Sequence, residues 1–337
     1  TLSSKTILLS LGSHLIINLL QSGEKIRAIC RPHSDKEIIK RTAAYYQIDI
    51  SAFIQNLEWF EADLLDIVAL EPAFEGIEDV YHCAAVVSFN PKDSKMVLED
   101  NVTSTANMVN IALDYPIRKF LHTSSVASLG RKAENKVIDE NSDWVESKNN
   151  SNYSKGKYAS EIEVWRASQE GLNVVIINPC IIIGPGNWNN GSSAMFNTVA
   201  KGLKYFTSGT NAFVDVRDVA KAMIQLMKSD IKEERFVVAA ENISYENFFN
   251  YIAQGLGVNP PKKKVGRFLS ELAWRIEWLK FKLFRIKPLI TKETARTAQK
   301  TYLYSSEKLQ ERLGFTFRKI EDSAKEIAKF YLSDSAS

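Results

Sequence analysis

The sequence is short of the features that would place it quickly. It has three cysteines in 337 residues, Cys30, Cys83 and Cys180, and none stands in a CxxC or beside a Cys/His ligand cluster. That pattern points away from a zinc module or a disulfide framework. Each thiol ends an apolar run, so all three are expected as small buried side chains in a reducing compartment. No charge of one sign dominates, since 43 Lys and Arg stand against 40 Asp and Glu. A net charge of +3, without a long basic run carrying interleaved aromatics, gives no ground for a nucleic-acid partner. No apolar run is long enough to span a bilayer and no signal-peptide pattern opens the chain. Repeats and low-complexity tracts are missing too. A cytoplasmic location is expected. Because the chain does not begin with Met, a few residues are expected to precede Thr1.

What is present is an alternation of short β-rich runs and helical patterns. Strands are expected at Thr6–Leu9, Ile26–Cys30, Leu57–Phe60, Asp79–Cys83, Lys119–Thr123, Val174–Ile177 and Arg235–Ala239. Helices are expected at Leu15–Gln21, Lys36–Tyr45, Lys95–Leu113 and Ser154–Gln169. Continuous apolar strands alternating with helices predict a Rossmann-type α/β fold, a doubly wound parallel sheet covered on both faces. Ligands of such sheets bind beyond the carboxyl ends of the strands. After Gly184 the pattern loosens into "GPGNWNNGSS", and from Asn259 it continues as "NPPKKK" and aromatic helical sequence. The division expected is a dinucleotide-binding core over 1–184, with 210–240 returning to it, and a smaller substrate-binding lobe over 185–209 and 241–337.

The sharpest local candidate for chemistry is "NYSKGKYASE", which sets Tyr153 and Lys157 at i and i+4 and so on one helical face. A phenol titrates near pH 10, and a nearby ammonium would stabilise its anion and fit it for proton transfer. Spacing alone is weak, because Tyr115–Lys119 and Tyr304–Lys308 share it. Tyr115 is followed by Pro116 and a strand, and Lys308 reads as a solvated helix position. Context selects Tyr153. In "KFLHTSSVASLG" an apolar strand ends in Thr123, Ser124 and Ser125, about 28 residues earlier. A strand-end hydroxyl there can hydrogen-bond the oxygen that the phenol protonates.

Strand, serine pair, Tyr and Lys in this order resemble the extended short-chain dehydrogenase/reductases, the NAD-dependent epimerase/dehydratases and their dihydroflavonol-reductase-like and 3β-hydroxysteroid-dehydrogenase-like branch. The resemblance covers nearly the whole chain. It implies that Ser125, Tyr153 and Lys157 are catalytic, with Lys157 lowering the Tyr153 pKa and holding the nicotinamide ribose. "ADLLD" implies an adenine contact at Asp63 and Leu64. "VYHCAAVVSF" implies Ala84 and Ala85 against the cofactor and Phe89 near substrate. "NVTSTANMV" makes Asn101 a structural or cofactor-side contact, and Thr123 lies on the cofactor side. "NPCIIIGPG" sets Pro179 and Ile182 beside the nicotinamide, with Trp188 on the substrate side. Asp215 and Asp218 of "FVDVRDVAKA" read as mainly structural.

The tip of the second strand, "AICRPHSD", offers Arg31 and no carboxylate before Asp35. A planar guanidinium suits a ribose 2′-phosphate, so NADP(H) is favoured over NAD(H), and no metal is expected. Related sugar-nucleotide dehydratases carry an Asp-Glu pair directly after the catalytic Thr, where this chain has Val126 and Ala127. Dehydration is therefore disfavoured. The expected activity is reversible hydride transfer between NADP(H) and a ketone or secondary alcohol on a small, partly apolar substrate. The alternatives are a nucleotide-sugar epimerase with tightly held NAD and a non-catalytic dinucleotide-sensing protein. A homodimer is expected.

Two segments pull against this frame. "GRFLSELAWRIEWLKFKLFRIKP", 266–288, is basic and aromatic and could lie on an anionic membrane surface. The favoured expectation is instead a lobe helix that lines a pocket and packs on the core, because Leu269, Leu272, Ile276, Leu279 and Leu283 recur at helical spacing. The other segment is "TILLSLGSHLIINLLQ", where a strand should meet a helix through a turn of the type G-x-x-G-x that admits a pyrophosphate. Only Gly12 answers to it. The expectation is that about five glycine-rich residues are missing between Ser10 and Leu11, whose Cα atoms would then stand much farther apart than the ~3.8 Å of a peptide-linked pair. A normal bond there would remove most of the ground for the cofactor.

Overall fold

The computed structural model describes residues 7–85, 94–131, 137–147, 150–284, 295 and 297–336. From Ile26 to Pro179 strand and helix alternate. Helix α1 (Ile7–Gln21) leads into β1 (Ile26–Cys30), α2 (Ile38–Tyr45), β2 (Leu57–Glu61), the short α3 (Ile67–Leu70) and β3 (Asp79–His82). Then come α4 (Ser94–Asp114), β4 (Lys119–Thr123), α5 (Asn152–Gln169) and β5 (Val174–Pro179). Strand β9 (Glu234–Val238) completes a parallel sheet of order β3-β4-β5-β9. β4 and β5 are buried along their whole length, as strands covered on both faces must be. Phe120, Val174 and Ile176 face α4 and α5, while Leu121, Val175 and Ile177 face α1 and α7 (Val216–Lys228). This is the doubly wound arrangement that the strand–helix alternation predicts.

The opening of the chain departs from expectation. Ile7–Leu9 are helical, not strand, and Ser10 and Leu11 are consecutive residues of one uninterrupted helix. There is no gap between them. The reason is spacing: Leu11, Leu15 and Leu19 recur at helical intervals and pack together in the main core, so the residues between the expected strand and the expected helix are taken up as helix. The helical pattern therefore runs backwards through Leu11 and Leu8. β1 and β2 consequently pair only with each other, in a separate two-stranded parallel sheet. No described strand joins β1 to β3. One apolar cluster still bridges the two sheets, taking Ile29 and Phe60 from one and Val80, Phe120 and Val174 from the other.

A second hydrophobic cluster, called the lobe below, is framed by β6 (Ile181–Ile183), α6 (Ala194–Ala200), β7 (Tyr205–Thr207), β8 (Thr210–Asp215), β10 (Glu241–Ser244), α8 (Tyr245–Leu256) and β11 (Lys263–Val265). It draws Ile183 and Phe213 from segments that the expected division gives to the core. Strand β8 pairs with β6 and β10, turning Ala212 and Val214 to the main core and Phe213 to the lobe core. Helix α9 (Arg267–Phe284) follows, and then α10 (Glu307–Leu313) and α11 (Ile320–Ala336). α11 packs Ile320, Ala324 and Ile327 into the lobe core with Phe196, Phe213 and Phe248.

The expectation for α9 is overturned. Leu269, Leu272, Ile276 and Leu279 are exposed and do not pack on the core. The inward face carries Ser270, which is buried and accepts a 2.6 Å hydrogen bond from Gln299 Nε2, and the half-buried Trp274 and Glu277. Helical periodicity identifies a two-faced helix but not which face the protein covers.

Candidate active site

Parallel strands bring their carboxyl ends to one edge, and the candidate residues collect there. β4 ends at Thr123, and Ser124 and Ser125 follow. Ser125 opens a short 3₁₀ turn over Val126–Ser128, its Oγ accepting from the Ala127 amide at 3.2 Å. Helix α5 begins beside it, capped by Ser151, whose Oγ accepts from the Ser154 amide at 3.0 Å. The helix sits close to α4 because residue 156 is glycine; a Cβ there would stand 3.3 Å from the Val97 carbonyl oxygen. On the first turns of α5, Tyr153 lies beside Ser125, whose hydroxyl acts to lower the phenol's pKa. Lys157, one turn on and buried, donates its ammonium to the Thr123 carbonyl at 2.9 Å.

Electrostatics sort these groups. Burial pushes the Tyr153 phenol above its ordinary value, and the Ser125 hydroxyl only partly offsets that. The expected lowering by Lys157 is not seen; burial dominates. Burial also pushes Lys157 down to about 8, although Cys83 and Glu161 act to raise it. The site thus holds a neutral phenol on a serine hydroxyl, with a readily titrated cation one turn away. Such a set can donate a proton to an oxygen placed between the two hydroxyls.

A network that the sequence did not reveal holds the strand exit. Glu161, buried on the same α5 face, accepts on Oε2 from Ser124 Oγ (2.7 Å), Ser128 Oγ (2.8 Å) and Asn178 Nδ2 (2.9 Å). Its Oε1 accepts from Arg235 Nη1 at 3.0 Å. Asn178 and Ser128 both also donate to the Ser125 carbonyl, at 3.2 and 2.8 Å. The available signal was that Glu161 stands four residues after Lys157 and eight after Tyr153. A Glu in a charged helix ordinarily reads as solvated.

The other two YxxxK pairs serve structure. Lys119 is buried and donates to the carbonyls of Leu226 (3.1 Å), Ser229 and Ile231 (2.9 Å), capping α7. Lys308 is not the solvated residue expected, since it donates to the Arg235 carbonyl at 3.1 Å and pairs with Glu234 at 2.9 Å. Asp215 caps α7 through the Arg217 amide at 2.8 Å, and Asp218 accepts from the Arg318 amide at 2.7 Å.

Of the expected cofactor-side residues, Asp63 and Leu64 come after β2 and Ala62, the Leu64 carbonyl being pinned by Asn107 Nδ2 at 2.9 Å. Arg31 follows β1, and both it and Asp63 act electrostatically on the Asp100 carboxyl. Ala84 and Ala85 follow β3 and are half-buried. Thr123 donates weakly to Cys83 Sγ at 3.8 Å. Asn101 is buried on α4, Pro179 ends β5, and Ile182 lies in β6. Trp188 packs on Phe196 and Tyr331 of the lobe and donates its Nε1 to Asp334 at 2.7 Å. Phe89 lies outside the described residues.

Gly12 does not stand where expected. It is the sixth residue of α1, past the first turn, so its amide bonds to the carbonyl four residues back and does not face a helix terminus. No neighbour lies within 4 Å of a Cβ placed on it. Around Tyr153 and Lys157 the donors suit a ribose and a nicotinamide, but the opening helix offers no cradle for a pyrophosphate.

With this geometry in hand, comparison with known proteins is decisive at residues 10–239, which match the model of the NAD dependent epimerase/dehydratase family. The chain belongs to that family. It is an NAD(P)-dependent enzyme of the extended short-chain dehydrogenase type. Among its relatives is a protein of Synechocystis sp. named for dihydroflavonol 4-reductase, 28% identical over 312 residues, 89% of this chain and 85% of that one. Sterol demethylase protein B of Methylococcus capsulatus is 30% identical over 258 residues, covering 75% and 73%. The crystal structure of gox2253 superposes with a TM-score of 0.79 at 26% identity, over 96% of each chain. The family supports a nicotinamide cofactor, so the continuous chain at Ser10 and Leu11 does not remove the ground for one as expected. Among the described residues no cluster of His, Cys, Asp and Glu could hold a metal ion.

Proposed function

We propose that this chain interconverts a ketone and a secondary alcohol on a small, partly apolar substrate. The observation that carries the reading is Tyr153 set beside the Ser125 hydroxyl at the strand ends, with Lys157 anchored one turn away on the Thr123 carbonyl at 2.9 Å. Reduction needs a proton delivered to the carbonyl oxygen as hydride arrives. A phenol kept neutral by burial is suited to deliver it, and Ser125 to hold the same oxygen. Hydride transfer is the chemistry that a bound nicotinamide supplies. Val126 and Ala127, buried and apolar, offer no group to expel water, which favours redox chemistry over dehydration. Relatives named for a dihydroflavonol and a sterol favour a partly apolar substrate.

NADP(H) is the proposed cofactor, with Arg31 taking the 2′-phosphate and Asp63, Leu64, Ala84, Ala85, Asn101, Thr123, Pro179 and Ile182 on its path. The lobe that holds Trp188 is proposed to cover the substrate. The test is a screen of ketones and sugar nucleotides with NADPH and NADH, run on the native chain and on Tyr153→Phe. The expected outcome is ketone-dependent NADPH oxidation that falls by about 10²–10⁴-fold in Tyr153→Phe, with cofactor binding retained. An epimerised sugar without net NADPH change would replace this reading with epimerisation. Binding and no turnover in either protein would replace it with dinucleotide sensing.

A further inference from the structure

The largest set of exposed apolar side chains lies on one element, α9. Phe268 is 81% exposed, Leu269 57% and Ile276 47%, and Leu272 and Leu279 are exposed with them. At 3.6 residues per turn, positions 268, 272, 276 and 279 fall in one stripe, with Leu269 along its edge. The same geometry sets Arg275 on one flank and Lys280 on the other, both exposed. The protein-facing side is the one with Ser270, Trp274 and Glu277. This helix therefore keeps its polar groups inward and at its flanks, and presents the apolar stripe outward.

Charge decides what covers that stripe. Residues 262–284 carry seven Lys and Arg against two Glu. Both acids are neutralised within the helix, Glu271 by Arg275 at 2.8 Å and Glu277 by Lys280 at 2.9 Å. Lys262, Lys263 and Lys264 stand exposed directly before the helix, two of them in β11. A second copy of this chain would bring the same positive excess against itself. A negatively charged lipid surface complements it, and an aromatic and leucine-rich stripe between basic flanks is the form that lies in a bilayer interface. Among the described residues no helix is long and apolar enough to cross a membrane, so the element would lie on the surface.

We propose that α9 and the preceding lysines form a docking surface for anionic membranes. The stripe enters the headgroup region, the flanking cations face lipid phosphates, and the catalytic edge stays in the aqueous phase. The test uses the full chain with vesicles of phosphatidylcholine alone and with about 30% phosphatidylglycerol, separated by sedimentation at physiological salt. Native protein should co-sediment with the anionic vesicles, and association should fall at least tenfold on neutral vesicles. Leu272→Ser with Ile276→Ser, and separately Lys262→Gln with Lys263→Gln and Lys264→Gln, should each lower partitioning at least tenfold. Unchanged melting temperatures would show that both sets stay folded, as exposed positions should. Native protein left in the supernatant with anionic vesicles would overturn the proposal. So would a native dimer that Leu272→Ser with Ile276→Ser converts to monomer, since a second copy would then own the stripe.

Discussion

Glu161 takes four hydrogen bonds on two oxygens, and three of the four donors are neutral. Arg235 is the only one that brings a charge, and it is held in turn by the Glu140 carbonyl at 2.9 Å. Removing one partner of a buried ion pair strands the other charge, which is typically worth about 3–5 kcal/mol. Arg235→Met is therefore expected to destabilise the fold by about that amount, measured by urea unfolding at pH 7. A loss below about 1 kcal/mol would mean that the serines and Asn178 alone satisfy the carboxylate. Because Asn178 and Ser128 also hold the Ser125 carbonyl, the same change should disturb the position of the Ser125 hydroxyl before it disturbs residues farther from the strand exit. Nothing in the composition of α5 marks Glu161 out. Its role exists only once β4, β5 and β9 lie side by side.

At the scale of elements, α1 is where the local sequence and the family pattern part. The pattern of "TILLS" is that of a strand, but it runs without a break into the helical repeat of Leu11, Leu15 and Leu19, and Ile7–Ser10 are absorbed into that helix. Its loss leaves β1 and β3 without the neighbour that would pair with both. Inserting five residues of the form Gly-x-x-Gly-x between Ser10 and Leu11 should let Thr6–Leu9 enter the gap and expose helix-terminal amides to a pyrophosphate. NADPH should then bind at least tenfold more tightly by fluorescence titration; an unchanged Kd would mean the native chain anchors the cofactor by other groups. Elsewhere the sequence was read with little loss. β4 spans the expected residues Lys119–Thr123, and β5 and β9 differ from expectation only at their ends, because continuous apolar runs bounded by turns have few alternatives. The α5 site was legible for a similar reason, since i and i+4 on a helix fix a shared face whatever surrounds it. Among the elements, α1 and α9 depart most from expectation, and both departures turn on what lies next to a helix, which periodicity does not carry.

Across the whole molecule, three of the four histidines are buried, one on α1 and two stacked on each other in the parallel sheet. His14 lies on α1 against the Tyr46 hydroxyl at 3.0 Å, and burial pushes it down to about 4. His82 on β3 meets Thr105 Oγ1 at 3.1 Å and is pushed down to about 3 by burial and then by Lys157. His122 on β4 stacks on His82 at 5.2 Å, neither ring nitrogen has a hydrogen-bond partner, and burial lowers it well below its ordinary value. All three are neutral in the folded chain and take up protons on unfolding once the pH is below about 6.5. Their contribution is thus complete above pH 6.5 and is lost as pH falls towards 4 and then 3, at about 1.4 kcal/mol per pH unit for each histidine engaged. Glu140 and Asp218, whose carboxyl groups burial pushes up, oppose this in the lower part of the range. Urea midpoints measured from pH 7.5 to 4.5 should therefore be level at first and then fall steeply below pH 6.5. His122→Phe keeps the stacking ring and removes two unpaired nitrogens, so it should match or exceed native stability at pH 7. Its slope below pH 6.5 should be shallower by about one proton, and a slope equal to the native one would show that His122 does not stay neutral in the folded protein.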